Sequence, residues 1–323
     1  MSDQPIQRVA IVGASGRIGG AFAAAVQKTG KHVVTALTRA GSTGTIPEGV
    51  KRVEVDYSNE DSLVEALKGQ QFLAITLGVS AGPDVHPRII TAAKKAGVSY
   101  VMPNIYGYPL ATLDASAISR SDLYATVTLE RFQEVIDKGP APPIALSCGF
   151  WYEWSLALGE EWFGFTIKDR KVTFFDDGKR QITSSTWEQC GRALAALVSL
   201  PESKLAEYKG KFVRIESFHV SQREMLDSLH RVLGTTDADW EITFESSEKR
   251  IKDGAEAMKT GNRRGFAKML YCGVFTPSNP VSDFEATSNA ELGLSVEDLD
   301  ERTKVAIEMV ESGWDPLPAM GDV

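Results

Sequence analysis

Three glycines follow one another at a three-residue spacing in VGASGRIGG, residues 12–20. The apolar run RVAIV precedes them, and a small-residue pattern typical of a packed helix follows. In this context Gly13 permits a tight turn, Gly16 lets the backbone approach a diphosphate, and Gly19 lets the helix lie close to the sheet. The free N–H groups at the helix start favour an anion at the same place. We therefore expect a dinucleotide at this turn, lined by Gly13, Ala14, Ser15, Gly16, Arg17, Ile18 and Gly19.

The end of the next predicted strand, LTRAGST (37–43), indicates which dinucleotide is bound. A carboxylate about twenty residues after such a turn usually accepts from the ribose 2′-hydroxyl of NAD. This stretch has no carboxylate; Arg39 stands there, with the hydroxyls of Thr38 and Ser42 beside it. A guanidinium binds a phosphate through two parallel hydrogen bonds, and Arg17 in the turn adds a second positive charge. The sequence therefore predicts that NADP(H) is bound in preference to NAD(H).

Several residues end the following strands at the edge of the predicted sheet where ligands lie. Asp56 and Tyr57 follow the third strand and would lie near the adenine, although an ordinary helix-capping role for Asp56 is an equal alternative. The next strands end in TLG (76–78) and MPN (102–104), which would border the ribose and the nicotinamide. The residues expected to contact the cofactor there are Asp56, Tyr57, Leu77, Gly78, Val79, Pro103, Asn104 and, after the sixth strand, Phe150.

Short apolar runs alternate with helical patterns through the first 150 residues, and the sixth such run is PIALSCG, residues 143–149. Buried β-branched runs separated by helices indicate parallel strands joined by right-handed crossovers. The sequence therefore predicts an α/β fold with a Rossmann doubly wound parallel sheet in residues 1–150. A smaller C-terminal α+β substrate lobe is expected over 151–323, with the chain returning to the first domain at about 186–217.

The pattern changes after Phe150, where the stretch 150–165 contains Trp151, Trp154 and Trp162. These aromatic side chains would suit a flat apolar ligand, and the core of the second lobe is at least as good an interpretation. The pair Asp177-Gly178 lies between two β-rich runs and predicts a hairpin over residues 171–186.

The composition is that of an ordinary globular protein: of 323 residues, 43% are hydrophobic and 24% are charged. The net charge of −8 disfavours a surface that binds nucleic acid or an anionic membrane. No apolar run approaches the roughly 18 residues that span a bilayer, and the N-terminus lacks a signal pattern. The three cysteines show no CxxC spacing and the four histidines are scattered, so neither a disulfide nor a metal site is expected. His86 is expected to be a helix-start residue, and a cytoplasmic location is predicted.

Four stretches of the sequence resemble a known family: VGASGRIGG, LTRAGST, VDYSNEDSLVEALKGQQ and RIITAAKKAGVSYVMPNIYG. They are similar to the NmrA-like and isoflavone-reductase-like atypical short-chain dehydrogenases, and DFEATSNAELGLSVEDLDE (283–301) is similar to the C-terminal end of fungal members. The resemblance extends from about residue 8 to about residue 303. It implies a Rossmann domain, a smaller substrate lobe and NADPH. The family contains reductases of aromatic and phenylpropanoid-type compounds, and also regulators that bind the cofactor without known catalysis.

The sequence departs from the family at the expected acid/base residue. Reductases of this family carry a lysine at the start of the helix after the fifth strand, yet no lysine occurs between Lys95 and Lys138, and the matching position is near Thr128 or Leu129. The YxxxK pair is also missing, because Thr128 follows Tyr124 at that spacing. Hydride addition to a ketone still needs a proton donor. The candidate donors are Tyr106, Tyr124 and Tyr152, or a water molecule.

These observations support three hypotheses. The first is an NADPH-dependent reductase of a small aromatic, enone or polyketide-like compound of secondary metabolism, for which an enone or imine substrate would relax the need for a strong acid. The second is a non-catalytic NADP(H)-binding regulator that senses redox state and acts on a protein partner. The third is a non-redox isomerase or cyclase on the same fold, which would bind the cofactor without consuming it.

Overall fold

The computed structural model describes residues 3–78, 81–110, 113, 123–262, 264–276, 279 and 286–314. The strands, numbered along the chain, are β1 (Arg8–Val12), β2 (Val33–Arg39), β3 (Lys51–Val55), β4 (Phe72–Ile75), β5 (Tyr100–Met102), β6 (Ile144–Ser147), β7 (Phe150–Trp151), β8 (Phe165–Thr166), β9 (Lys171–Phe175), β10 (Gln181–Ser185), β11 (Lys211–Arg214), β12 (Phe218–Ser221) and β13 (Glu241–Glu245). The helices are α1 (Arg17–Lys28), α2 (Glu60–Leu67), α3 (Val85–Lys95), α4 (Leu123–Lys138), α5 (Tyr152–Ala157), α6 (Glu160–Phe163), α7 (Trp187–Ser199), α8 (Glu202–Leu205), α9 (Gln222–Leu233), α10 (Ser247–Lys259), α11 (Arg264–Phe275) and α12 (Leu299–Glu311).

The first strands form a five-stranded parallel sheet in the order β3-β2-β1-β4-β5. All four residues of β4 are buried, as are four of the five in β1, which is the pattern of a sheet covered on both faces. The strand order reverses between β1 and β4, so a crevice opens at the carboxyl ends of these two strands. The predicted doubly wound α/β fold is confirmed.

The sixth predicted strand forms, but its hydrogen-bonded partner is a strand far along the chain. The sixth run forms β6, which pairs in parallel with β11 in a separate two-stranded sheet. Only an isolated bridge, between Gly107 and Ser147, is recorded among the described residues between this strand and the segment after β5. The partner of β6 is thus a strand more than sixty residues later in the chain, which no local pattern indicates.

Contacts within the chain define two compact units, and the first comprises Met1–Ser147, Trp187–Ile215 and Ala286–Leu294. Its core includes Val12, Leu37, Ile75, Ile89 and Val135 around the central sheet. Helix α7 belongs to this unit because it packs on α1 at very short range. A Cβ on Gly191 of α7 would lie 2.6 Å from the carbonyl oxygen of Ala21.

The second unit comprises Cys148–Thr186, Glu216–Glu285 and Ser295–Val323. It contains two three-stranded sheets, β12-β10-β7 and β13-β9-β8. The predicted hairpin is therefore wrong, since β9 and β10 lie in different sheets. A turn does form, with Gly178 N–H donating to Phe175 O, but β9 pairs with β13 and β10 pairs with β12 and β7.

The aromatic stretch 150–165 is packed inside this second unit. Trp154 and Trp162 are buried, and the Phe150 ring stacks on Tyr271 with centroids 3.8 Å apart. No helix formed by the described residues combines the length and the apolar character needed to cross a membrane.

Candidate cofactor site

The glycine turn is built so that two of its glycines cannot carry a side chain. Gly13 has a φ of +79°, and a Cβ there would lie 2.0 Å from Thr76 O. A Cβ on Gly19 would lie 2.2 Å from Gly13 O and 2.4 Å from the Thr76 hydroxyl. These two positions bring β1, α1 and the end of β4 to contact distance; the sequence predicted the tight turn at Gly13 and the close helix at Gly19, and the contact with Thr76 was not foreseen.

Gly16 differs from its two partners because its free side is open. A Cβ there would meet only Gly13 O, at 3.2 Å, among the described residues, and Gly16 itself is exposed. Its N–H donates to Gly13 O at 2.9 Å, which closes the turn. The backbone at this point is therefore accessible to a ligand that needs close approach.

The start of α1 offers hydrogen-bond donors to an anion. Gly16 is the N-cap and supplies no side-chain acceptor, and the first turn contains no acidic residue. The N–H groups of a first helical turn have no intrahelical acceptor, and the helix dipole adds a partial positive charge there. A diphosphate fits this place in both charge and hydrogen bonding.

Thr76, the residue after β4, connects that strand to the residue before the glycine turn. Its backbone N–H and its hydroxyl both donate to Val12 O, at 3.0 and 2.6 Å. Since Val12 immediately precedes the turn, these bonds hold β1 and β4 together where the crevice begins.

Of the residues predicted to bind a 2′-phosphate, Thr38 and Arg39 end β2, and Arg17 begins α1. Arg39 is exposed, and its guanidinium makes no hydrogen bond or ion pair with any described residue. Thr38 points inward: it is 4% exposed, and its hydroxyl has no partner among the described residues. Arg17 is exposed and its guanidinium lies 5.9 Å from the centroid of the Trp187 ring. Both arginines are exposed, and their contact with a 2′-phosphate stays a prediction.

Asp56 and Tyr57 lie at the end of β3 and are both engaged in the protein. Asp56 accepts hydrogen bonds from Ser58 N–H and Ser58 Oγ, at 2.8 and 2.6 Å, and these bonds lower the pKa of its carboxyl. Tyr57 donates to Leu37 O at 3.1 Å, and burial raises the pKa of Tyr57 to about 12. Asp56 therefore shapes the turn before α2, while the Tyr57 ring packs at the end of β2.

The ends of β4 and β5 are linked through Asn104. Its Oδ1 accepts from Leu77 N–H at 3.0 Å, and its Nδ2 donates to Leu77 O at 3.2 Å. The Asn104 N–H donates to Nε2 of His86, at 3.4 Å. Of the other predicted residues here, Gly78 is exposed and Pro103 is buried, while Val79 lies outside the described residues.

His86 is more than the helix-start residue that the sequence predicted. It is fully buried, and its Nδ1 lies 2.5 Å from Glu134 of α4. Because a backbone N–H can only donate, Nε2 is the acceptor and Nδ1 carries the proton toward the carboxylate. Burial lowers the pKa of His86, which keeps the ring neutral. The sequence offered no sign of this network, since Glu134 follows His86 by 48 residues.

The three candidate proton donors have different surroundings. Tyr106 is half-buried and donates to Ile75 O at 2.8 Å, and half-buried Tyr124 donates to Tyr108 O at 2.9 Å; both belong to the first unit. Tyr152 lies in the second unit, is fully buried and bonds to Thr303 at 2.7 Å. Burial raises the pKa of Tyr152. A structural role therefore suits Tyr152 better than proton donation.

Two further positions belong to the predicted site. Phe150 is buried in the second unit against Tyr271, and its contact with the cofactor stays a prediction. Thr128, where the resemblance places the missing lysine, is only 3% exposed in α4.

Comparison with known proteins agrees with this geometry. Residues 13–108, which contain the glycine turn, Arg39 and Asn104, match a family described as NAD(P)H-binding. Residues 13–108 form an NAD(P)H-binding domain. The match begins at the first glycine of the turn and ends after β5, so it covers the sheet edge described above.

A curated relative and several solved structures are similar to this chain over nearly its whole length. The chain is 25% identical over 299 residues to "Oxidoreductase aprR" of Aspergillus flavus, covering 91% of this chain and 96% of that protein. Among solved structures, isoflavone reductase superimposes with a TM-score of 0.71 at 22% identity, covering 92% of this chain and 98% of the other. The structure titled "AtPrR2 with NADP+ and (+)pinoresinol" superimposes with a TM-score of 0.72 at 17% identity, covering 95% of this chain and all of the other (100%). The chain thus has the fold of the isoflavone-reductase-like proteins, and the predicted resemblance is confirmed.

Proposed function

We propose that the protein is an NADPH-dependent reductase of a small aromatic, enone or polyketide-like compound. The observation that carries this proposal is the open backbone at Gly16, at a helix start without acidic residues, in the same unit as the exposed guanidinium of Arg39. These features suit the diphosphate and the 2′-phosphate of NADPH. The oxidoreductase name of the Aspergillus flavus relative and the NADP⁺ in the pinoresinol-bound structure support the same assignment.

The work of the protein in this reaction is mainly to bind and orient. The bound cofactor supplies the hydride. The α1 start holds the diphosphate, and the link from Asn104 to Leu77 fixes the backbone at the ends of β4 and β5, which would border the nicotinamide. We assign the substrate to the second unit, which is the role that the family resemblance implies for the C-terminal lobe.

Without the lysine of the resembling reductases, the protein lacks their proton donor, and this favours substrates that need no strong acid. The hydroxyls of Tyr106 and Tyr124 each donate to a backbone carbonyl, so either one must leave its acceptor to protonate a substrate. Hydride addition to an enone gives a delocalised enolate that water can protonate, whereas a simple ketone needs a positioned acid in the transition state. Enones are therefore the favoured substrate class.

Turnover of NADPH with a substrate panel tests the proposal. Purified protein is incubated with NADPH and aromatic enones, quinones, imines and simple ketones, and loss of NADPH is followed with identification of the reduced product. We expect reduction of enones or quinones and little reaction with simple ketones. A protein that binds NADPH tightly and reduces no member of any class would contradict the proposal.

A regulatory function is the second candidate. Its support is that all three candidate tyrosine hydroxyls are hydrogen-bonded within the protein, together with the absence of lysine between Lys95 and Lys138. Such a protein would bind oxidised and reduced cofactor with different affinities and pass that difference to a protein partner. Tighter binding of the oxidised forms, with no turnover, is the result that would favour it.

A further inference from the structure

The loop after β2 is held by a residue of β3. Arg52 donates from Nη1 to Ser42 O at 3.0 Å and from Nη2 to Gly44 O at 2.5 Å. The Cα of Arg52 pairs with that of Ala36, well before the end of β2, so the loop runs back along the strands. A further bond, from Ala40 N–H to Val55 O, begins this return. The half-buried guanidinium of Arg52 thus fixes two carbonyl groups of the loop.

The same loop touches the glycine turn. A Cβ on Gly44 would lie 2.6 Å from Ser15 Cβ and 2.8 Å from Ser15 Oγ, so the two backbones approach closely. Gly41 has a φ of +72°, which allows the chain to reverse after Arg39. Arg52 therefore holds the loop at the place where the glycine turn, Arg39 and β3 meet.

The direction of these carbonyls determines the direction of the neighbouring N–H groups. The chain contains no cis peptide bond among its described residues, and in a trans peptide the N–H points opposite to the C=O of the same unit. With Ser42 O and Gly44 O directed at Arg52, the N–H groups of Thr43 and Thr45 point away from it. Within the described part of the chain neither N–H has an acceptor, and both residues are exposed.

We propose that Arg52 is a positioning residue that sets the preference for the 2′-phosphate. It holds the loop so that the N–H groups of Thr43 and Thr45, together with the Arg39 guanidinium, bind the phosphate dianion. Arg52 does not itself contact the phosphate; both of its recorded hydrogen bonds go to loop carbonyls. This inference rests on the proposed use of NADPH and names the residue that makes the loop selective.

Binding of NADPH and NADH to the intact protein and three variants tests the inference. In Arg52→Gln the loop loses both bonds, and we expect the Kd for NADPH to rise roughly tenfold while the Kd for NADH changes by less than about twofold. In Arg52→Lys one ammonium replaces the two-pronged contact, so the Kd for NADPH rises by roughly threefold. Arg8→Gln removes the same charge at the amino end of the central strand β1, away from the carboxyl ends where the cofactor is expected, and leaves both Kd values unchanged.

Amide hydrogen exchange gives a second test. If Arg52 only stabilised the fold, its substitution would not change the protection from exchange that depends on NADPH. In the wild-type protein NADPH should slow exchange in the segment 40–46 and NADH should not, and Arg52→Lys should reduce the NADPH-dependent protection. This variant also serves if Arg52→Gln does not fold.

The outcomes separate this inference from the proposed function. Equal affinity of the wild-type protein for NADPH and NADH would overturn the proposed cofactor and this inference together. A wild-type preference that Arg52→Gln retains would overturn this inference alone. Equal weakening of both cofactors, wild-type behaviour of Arg52→Lys, or absent NADPH protection at 40–46 would also overturn it.

Discussion

The side chain of Asn104 binds both backbone polar groups of Leu77, with N–H to Oδ1 at 3.0 Å and Nδ2 to O at 3.2 Å. Two strands of the sheet, β4 and β5, are thereby linked just beyond their carboxyl ends. A loop at the ligand edge would otherwise leave its peptide groups to water, so this amide preorganises the backbone that a cofactor must meet.

Asn104→Ala should therefore affect both stability and cofactor binding. Loss of the two bonds should lower the free energy of unfolding by about 1–2 kcal/mol and weaken NADPH and NADH by a similar factor. Urea unfolding and calorimetry measure the two effects. Asn262→Ala, in the second unit, removes one bond to Arg264 N–H and should leave cofactor binding intact. Unchanged affinity in Asn104→Ala would show that Asn104 is not part of the cofactor site.

The glycine turn allows a matched set of substitutions. Gly19→Ala places a Cβ 2.2 Å from Gly13 O and should destabilise the protein by about 2–4 kcal/mol. In Gly16→Ala the new Cβ meets, among the described residues, Gly13 O alone, at 3.2 Å, so we expect a folded protein whose affinity for NADPH falls at least roughly tenfold. Gly20→Ala, whose nearest neighbour is at 3.4 Å, is the control. Full NADPH affinity in Gly16→Ala would be incompatible with a diphosphate at this turn.

Arg39→Ala tests the recognition of the 2′-phosphate. Because the Arg39 guanidinium is exposed and makes no hydrogen bond or ion pair with any described residue, stability should hardly change. The Kd for NADPH should rise roughly tenfold or more, while that for NADH stays nearly constant. Calorimetric titration of both cofactors measures this. Equal loss for both would count against Arg39 as the residue that recognises the 2′-phosphate.

Single hydroxyl deletions separate the candidate proton donors. Tyr152→Phe removes a buried bond to Thr303 and should cost about 1 kcal/mol of stability, with kcat close to that of the wild-type protein. If the Tyr106 hydroxyl donates the proton, Tyr106→Phe should lower kcat, and the same holds for Tyr124 and Tyr124→Phe. If water donates the proton, neither substitution should change kcat. These variants are compared by kcat on the substrate found in the turnover panel. A large fall of kcat in a well-folded Tyr152→Phe would refute the structural role given to Tyr152.

Because His86 is buried, we expect the free energy of unfolding to fall in mild acid. Burial lowers the pKa of His86 in the folded protein below the ordinary histidine value of about 6.5, so below that pH the unfolded chain takes up a proton that the native ring resists. Stability from this group is complete above about pH 6.5 and falls as the pH decreases toward the folded pKa, by at most about 1.4 kcal/mol per pH unit. Urea unfolding of wild type and His86→Gln between neutral and mildly acidic pH measures the slope. His32, which shows the same direction of shift, remains in both proteins. Identical slopes would exclude His86 as the source.

The sequence was most informative where structure is determined locally. The turn from Gly13 to Gly19 follows from glycine spacing between a strand and a helix, and the parallel sheet follows from buried apolar runs. Asp177 and Gly178 lie in a turn, as their sequence indicates, but no hairpin forms, because β9 pairs with β13 and β10 pairs with β12. A turn sequence specifies local backbone angles; it does not choose the strands that pair.

The supporting contacts of the site were not predictable for a related reason. The link from Arg52 to Ser42 and Gly44 depends on the register between β2 and β3, and the link from His86 to Glu134 depends on the packing of α3 beside α4. Arginine on a strand and histidine at a helix start each have many ordinary roles. Only their positions in three dimensions distinguish the roles found here.

Calorimetric titration of the wild-type protein with NADPH, NADP⁺, NADH and NAD⁺ under one condition tests the central claim most directly. We predict tightest binding of NADPH, with a clear preference for the phosphorylated forms over NADH and NAD⁺. Indifference to the 2′-phosphate, or tighter binding of the oxidised forms, would contradict a reductase that takes its hydride from NADPH.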